Sequence, residues 1–209
     1  MKNKITLALP KGRLFEQTID ILVKANILDD VILPNSRKLI LETDNFRFLL
    51  VRAKDVPTYV EYGAADIGVA GDDVLLETQP DVYVPVDLKI GACRIVVAGL
   101  PESKNEYNYN ITEIKVATKY PKIAENFFKE KGITAHIIEL YGSIELAPLL
   151  NLAPYIVDIV ETGTTLRENG LVVIDNIRPS SAKLIVNRVS YKTNNKNILE
   201  FIEKVEKVV

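Results

Sequence analysis

The chain is predicted to fold as α/β, in two lobes, on three observations. Short apolar runs of strand length alternate with segments of helical spacing along nearly all of the 209 residues. Twice in the first half, an apolar run ends in a glycine turn that opens a helix. A second strand–helix series begins near residue 92, and late in it lies a loop of three hydroxyls around a glycine, Thr162-Gly163-Thr164-Thr165. Ligands of such folds gather at the C-terminal ends of the strands.

The first strand is expected at residues 5–9, ending in Pro10-Lys11-Gly12-Arg13. Residues 14–25 follow with Leu14, Phe15, Thr18, Ile19, Leu22 and Val23 on one helical face. Lys11 and Arg13 then point at a site, or are two solvated charges on a loop. Strands at 37–41 and 47–51 flank a turn at Asp44-Asn45. Arg52 follows at once, as a substrate cation or a surface charge. Asp55 is expected to cap a helix over 56–62 with Pro57 in its first turn. Residues 66–70 form the next strand, then Gly71-Asp72-Asp73 opens a helix at 74–77.

Strands at 82–88 and 92–99 lead into the second series: strand 115–117, helix 121–131 closed by Gly132, and strand 134–140. Ser143 is expected to cap a helix at 144–150 and to offer a second anion site there. The apolar run 156–160 enters the hydroxyl loop, and a short helix at 166–169 stops at Gly170. A strand at 171–177, the stretch Arg178-Pro179-Ser180-Ser181, a strand at 182–186 and a final helix at 196–209 complete the chain. The alternation implies mostly parallel sheets covered on both faces. One lobe is expected to hold residues 1–90 plus 178–209 and the other 91–177, with ligand in the cleft between them.

With 26 basic and 28 acidic side chains the net charge is −2, which leaves no electrostatic footprint for nucleic acid or an acidic membrane. An anionic substrate has to be met by a few placed cations. One cysteine, Cys93, permits no intramolecular disulfide, and one histidine, His136, leaves no His/Cys zinc set. His136 reads as a strand residue. No apolar run reaches membrane length, and Pro10-Lys11-Gly12-Arg13 interrupts the N-terminal stretch too soon for a signal peptide. A cytoplasmic location is expected.

The hydroxyl loop carries the most chemistry. Unpaired N–H groups at a helix start favour an anion, three threonine hydroxyls add donors, and Gly163 lets the backbone approach a phosphate. Thr-Gly-Thr-Thr alone is equally an ordinary N-cap. What turns the reading is Asp158, four residues before Thr162: a carboxylate repels phosphate but suits the vicinal hydroxyls of a ribose. Acid, then Thr-Gly-x-Thr, resembles the sugar-phosphate loop of phosphoribosyltransferases.

Four segments together resemble the short form of ATP phosphoribosyltransferase, the first enzyme of histidine biosynthesis. They are Leu9-Pro10-Lys11-Gly12-Arg13-Leu14; Val51-Arg52-Ala53-Lys54-Asp55-Val56-Pro57-Thr58-Tyr59-Val60; Gly63-Ala64-Ala65-Asp66-Ile67-Gly68-Val69-Ala70-Gly71; and the stretch from Tyr141-Gly142-Ser143-Ile144-Glu145 through Asp158 to Leu166. Two positions depart from the family pattern: Asn151 replaces a usual Gly and Pro154 a frequent Asp.

The resemblance implies an α/β fold of two lobes with type II periplasmic-binding-protein-like architecture, joined by two crossover strands near 88–92 and 177–182. It implies that N1 of ATP attacks C1 of 5-phosphoribosyl 1-pyrophosphate (PRPP), with pyrophosphate leaving and Mg2+ carried mainly on that pyrophosphate. By the same resemblance, Thr162, Gly163, Thr164 and Thr165 hold the 5-phosphate, Asp158 the ribose hydroxyls, and Glu161 assists. Lys11 and Arg13 meet phosphates, and Arg52 is the catalytic cation that stabilises the leaving group. A long-form regulatory domain is not expected beyond Val209. The family's short form works in a hetero-octamer with a regulatory subunit resembling histidyl-tRNA synthetase. The rival expectation is a non-catalytic two-lobed binding module for a small phosphorylated ligand, since the fold serves both uses; another PRPP-using transferase is a third.

Overall fold

A computed structural model describes residues 4–29, 38–107 and 111–209. The first series of elements is β1 (Ile5–Pro10), α1 (Arg13–Lys24), β2 (Ile40–Glu42), β3 (Phe46–Val51), a 3-10 turn (Ala53–Asp55), α2 (Val56–Glu61), β4 (Ile67–Gly71), α3 (Asp72–Thr78) and β5 (Val82–Asp87). The second is β6 (Cys93–Gly99), α4 (Pro101–Glu106), β7 (Glu113–Thr118), α5 (Pro121–Glu130), β8 (Thr134–Glu139), α6 (Leu146–Leu149), β9 (Tyr155–Val160), α7 (Thr164–Glu168) and β10 (Val172–Ser180). The chain ends in β11 (Ala182–Asn187), α8 (Arg188–Thr193) and α9 (Asn195–Glu206). Two units result: unit 1 is Met1–Gly91 with Ser181–Val209, and unit 2 is Ala92–Ser180.

In unit 1 the strand order is β2-β3-β1-β4-β11-β5. Strand residues alternate between two apolar layers, as period-two geometry demands. Leu7, Leu9, Ile67, Val69, Leu184 and Val186 join Phe15, Ile19 and Leu22 of α1 and Ile198, Phe201, Ile202 and Val205 of α9 on one face. Ala8, Ala70 and Ile185 pack with Val56 and Val60 of α2 and Leu75 of α3 on the other. Each such large side chain contributes about 1.5–3 kcal/mol when fully buried. Gly68 is what lets α2 lie this close: a Cβ there would sit 2.6 Å from Val60 Cγ2 and 2.9 Å from Val56 Cγ1.

Unit 2 has the order β10-β6-β9-β7-β8. Val96, Ala98, Ala117, Ile156 and Val160 pack against Ile144, Ala147 and Leu166, while α5 buries Ile123, Ala124 and Phe128.

The sheets are mixed rather than mostly parallel. In unit 1, β1 runs parallel to β3 and β4, but β11 inserts antiparallel between β4 and β5. In unit 2, β7 is parallel to β8 and β9, whereas β6 pairs antiparallel with both β9 and β10. β2 and β3 form a local antiparallel hairpin, but the other antiparallel pairings involve strands by which the chain enters or leaves a unit, β5, β6, β10 and β11, a property of connectivity that no local spacing encodes.

Other differences have local causes. The 3-10 turn runs straight into α2, so Asp55 is already helical (φ −91°, ψ −19°) and its side chain caps nothing. The helix expected at 144–150 shrinks to α6, and Ser143, at φ 49°, contributes its carbonyl to Leu146 N–H (3.1 Å) and no side-chain cap. β10 continues through Arg178-Pro179-Ser180, three residues beyond the strand expected at 171–177. It is an edge strand with two register shifts, the setting in which a sheet tolerates proline. α4 and α8 were not anticipated. Arg37, at the start of an expected strand, lies outside the described residues. His136 stands on β8 with an exposed side chain, 3.6 Å from Glu113.

Asn187 explains α8. Its buried side-chain oxygen accepts from Val189 N–H (3.0 Å) and Ser190 N–H (2.8 Å), capping that helix. Its amide donates to Val60 O (2.7 Å), which also accepts Gly63 N–H (3.1 Å), and to Glu61 O (3.1 Å), carbonyls in the last turn of α2. Asn187→Ala is expected to cost about 2 kcal/mol, because it removes hydrogen bonds at two helix ends. Urea unfolding monitored by far-UV circular dichroism measures it; a loss below the error of the extrapolation rules out the double cap as a stabilising element.

Asp87 closes the C-terminal end of β5. Burial pushes its carboxyl up, but the Lys183 ammonium (2.8 Å), the Lys89 N–H and the Ser181 hydroxyl pull harder and hold it at about 2, against an ordinary 3.8. A folded value below the unfolded one gives stabilisation that is present above about pH 4 and is lost as pH falls towards 2. The side chain is 46% exposed, so screening limits the contribution to under about 1 kcal/mol. Asp87→Asn is therefore expected to flatten the acid limb of the stability–pH curve slightly; an unchanged limb would remove this group from the acid response.

Candidate active site

In unit 2 the chemistry collects at one end of β9. β9 lies between β6 and β7, so its backbone is fixed on both edges, with Asp158 opposite Val96 and Val157 opposite Thr118. Asp158 keeps 13% of its side-chain surface. Its Oδ1 accepts from Ile159 N–H at 2.7 Å and pairs with Lys119 Nζ at 3.0 Å. Beyond Val160 the chain turns through exposed Glu161 and Thr162 into α7.

Gly163 takes φ 75°, ψ 8°, a left-handed conformation that an L side chain enters only with strain. Thr162 Oγ1 lies 3.0 Å from Thr164 Oγ1 and accepts weakly from Thr164 N–H at 3.4 Å. α7 starts at Thr164, two residues earlier than expected, so Thr164 and Thr165 are exposed first-turn residues. The result is an exposed cluster of hydroxyls and backbone donors beside one half-screened carboxylate.

Two residues at this end were not singled out from sequence. Arg167 Nη2 donates to Thr164 Oγ1 (3.1 Å) and Nη1 to Thr162 O (3.3 Å), strapping the loop. Its i+3 spacing from Thr164 is a helical signal that could have found it. A pocket of about 250 Å³ lies against the same loop, lined in part by Thr162, Gly163, Arg167 and Arg94. Lys119 offered no such signal, since it reaches Asp158 only through the pairing of β7 with β9.

In unit 1 three expected cations gather at the C-terminal ends of neighbouring parallel strands. Pro10 of β1 pairs with Val51 of β3, and Lys11 N–H donates to Val51 O at 3.2 Å. This sets Lys11 and Arg52 at one end of the sheet, with Arg13 following as the first residue of α1. Gly12 turns the chain there at φ 87°, ψ −154°. All three side chains belong to exposed residues, and among the described residues neither Lys11 nor Arg52 has an ion-pair partner. The two departures from the family pattern lie outside the cradle itself. Asn151 sits at φ 54°, a left-handed position that Gly and Asn both tolerate, and Pro154 immediately precedes β9.

The family model for HisG, ATP phosphoribosyltransferase, matches residues 52–207. The ATP phosphoribosyltransferase of Caldanaerobacter subterraneus subsp. tengcongensis is 53% identical over 207 residues, covering 98% of this chain and 97% of that protein. That of Aquifex aeolicus is also 53% identical, over 96% of this chain and 93% of that protein. The solved ATP phosphoribosyl transferase (HisG:HisZ) complex from Thermotoga maritima contains a chain that superposes with a TM-score of 0.82 at 38% identity, covering 98% of each. The periplasmic aliphatic sulphonate binding protein SsuA from Escherichia coli shares the fold alone, with a TM-score of 0.63 at 12% identity over 99% of this chain and 72% of that one. With the family model spanning most of the chain and relatives above half identity along almost all of it, the chain belongs to the ATP phosphoribosyltransferase family.

Proposed function

We propose that this chain transfers the 5-phosphoribosyl group of PRPP to N1 of ATP, releasing pyrophosphate, with Asp158 and the Thr162–Thr165 loop as the phosphoribosyl cradle. The observation that carries the reading is the juxtaposition at the end of β9: a carboxylate held by one oxygen, next to a glycine turn with three threonine hydroxyls. The hydroxyls and N–H groups of the loop meet the 5-phosphate, Asp158 accepts from the ribose hydroxyls, and Glu161 assists. Displacement at C1 builds positive charge on the ribose and negative charge on the departing pyrophosphate. Positioning and fixed cations therefore matter more than a strong base. Lys11 and Arg13 are assigned to the phosphates, and Arg52 to the leaving group.

Mg2+ enters as part of the substrate, on the pyrophosphate, where it neutralises charge. Among the described residues no group of three His, Cys, Asp or Glu side chains forms a resident metal site. The Thermotoga enzyme was solved as a HisG:HisZ complex, which favours a regulatory subunit resembling histidyl-tRNA synthetase for this chain too, in a hetero-octamer. The short form and a cytoplasmic location belong to the same proposal. Among the described residues no helix is long and apolar enough to cross a membrane.

An absorbance assay with ATP, PRPP and Mg2+, pulled forward by pyrophosphatase and run with and without the regulatory subunit, tests the reading. Accumulating phosphoribosyl-ATP is the expected result. No product in either arm, together with no PRPP binding in calorimetry, would replace the transferase by a binding module.

A further inference from the structure

Lys119 has no part in the roles assigned above, yet it is tied to the carboxylate at their centre. It follows β7 directly, and its position is set by buried bonds: Thr118 Oγ1 donates to Val157 O at 2.6 Å and accepts Tyr120 N–H at 2.9 Å. These bonds join the end of β7 to β9 one residue before Asp158, so Lys119 meets that carboxylate with little freedom to choose another partner. Its ammonium also lies 5.1 Å from the Tyr120 ring centroid, a contact that favours a fixed cation. The lysine side chain is 34% exposed and Asp158 13%, so the pair is only partly screened by water.

The two donors reaching Asp158, Ile159 N–H and Lys119 Nζ, converge on the same oxygen, Oδ1. Among the described residues Oδ2 receives no hydrogen bond. A carboxylate pinned by one oxygen cannot rotate freely about its terminal torsion, so the other is offered in a set direction. Resting on the phosphoribosyl assignment above, we infer that Lys119 is the positioning residue of the ribose site. It fixes Asp158 so that Oδ2 accepts from a sugar hydroxyl, and it offsets the negative charge that would otherwise repel the neighbouring 5-phosphate. A carboxylate and a phosphate can then be served by adjacent segments of one short stretch of chain.

The test measures PRPP affinity by calorimetry and steady-state constants for four proteins: the parent, Lys119→Met, Asp158→Asn and the double variant, with the regulatory subunit present in the kinetics. Lys119→Met is expected to weaken PRPP binding about tenfold, the scale of one charge-assisted hydrogen bond. It should raise KM for PRPP in step and move kcat by less than about threefold, because the group positions the ground state and transition state alike. In the Asp158→Asn background, removing Lys119 should add no further loss. Should the methionine variant fail to fold, Lys119→Gln is read against the same expectations. Parent-like PRPP affinity in the lysine variant, with Asp158→Asn impaired, overturns the inference and leaves the cradle standing. Multiplying losses in the double variant also overturn it, since Lys119 then acts on the ligand independently of Asp158. Parent-like affinity in Asp158→Asn instead removes the ribose assignment, and this inference falls with it.

Discussion

Arg52→Ala is expected to lower kcat about a hundredfold, equivalent to about 3 kcal/mol of barrier, while KM for PRPP and ATP moves by less than about threefold. The split follows from where charge develops. Pyrophosphate gains negative charge only as the bond to C1 lengthens, so a cation facing it binds the transition state more strongly than the ground state. Arg52 is suited to that work by its position: it leaves β3 in extended conformation (φ −72°, ψ 145°), exposed, with no ion-pair partner among the described residues. Among the described residues its side chain makes no hydrogen bond or ion pair, so stability should stay within about 0.5 kcal/mol of the parent. Arg52→Lys should recover part of the rate, since it restores the charge without the planar fork. Steady-state kinetics and thermal unfolding on one preparation check both halves. A parent-like kcat would rule out the catalytic role proposed for Arg52.

Asp158→Ala is expected to weaken PRPP binding about a hundredfold, the scale of two hydrogen bonds to a charged acceptor. Two effects oppose each other. Removing a carboxylate beside the proposed phosphate site relieves repulsion, but Lys119 at 3.0 Å already opposes that repulsion. What the proposed ribose site loses are bonds from the sugar hydroxyls to a carboxylate with only 13% of its side-chain surface in water. The loss therefore wins. Calorimetry with PRPP measures it, and an unchanged affinity would take Asp158 out of the ribose site. ATP binding, measured separately, serves as the control, because no part of the argument places Asp158 on the nucleotide.

The α/β class and most element positions were legible because they rest on local patterns. The face of α1 shows in the spacing of Phe15, Ile19 and Leu22, all buried as expected. The turn at Gly163 shows in its Thr-Gly-Thr-Thr context. Other features rest on contacts distant in sequence. Asn187 reads as a strand residue until it is seen to cap both α8 and the end of α2, some 126 residues away. Pro179 reads as a strand breaker until β10 is found at a sheet edge. The same distinction divides the site. Asp158 through Thr165 form one contiguous stretch and were readable together, whereas Lys119 meets Asp158 only because β7 and β9 are neighbours in the sheet.

The insertion of β11 between β4 and β5 has a consequence for how the molecule is made on the ribosome. The strands on either side of that slot are complete once residue 87 is synthesised, but the strand that fills it ends at residue 187. At ordinary elongation rates this interval is on the order of 5–20 s. Throughout it, β4 and β5 of the nascent chain flank an empty place in their sheet, while unit 2, a single continuous segment, can close as soon as it emerges. Unit 2 should therefore mature before unit 1, although unit 1 begins first on the ribosome. Unpaired strand edges attract other chains, so the apolar run of β4 is the segment of the newborn protein most in need of protection until its last strand arrives.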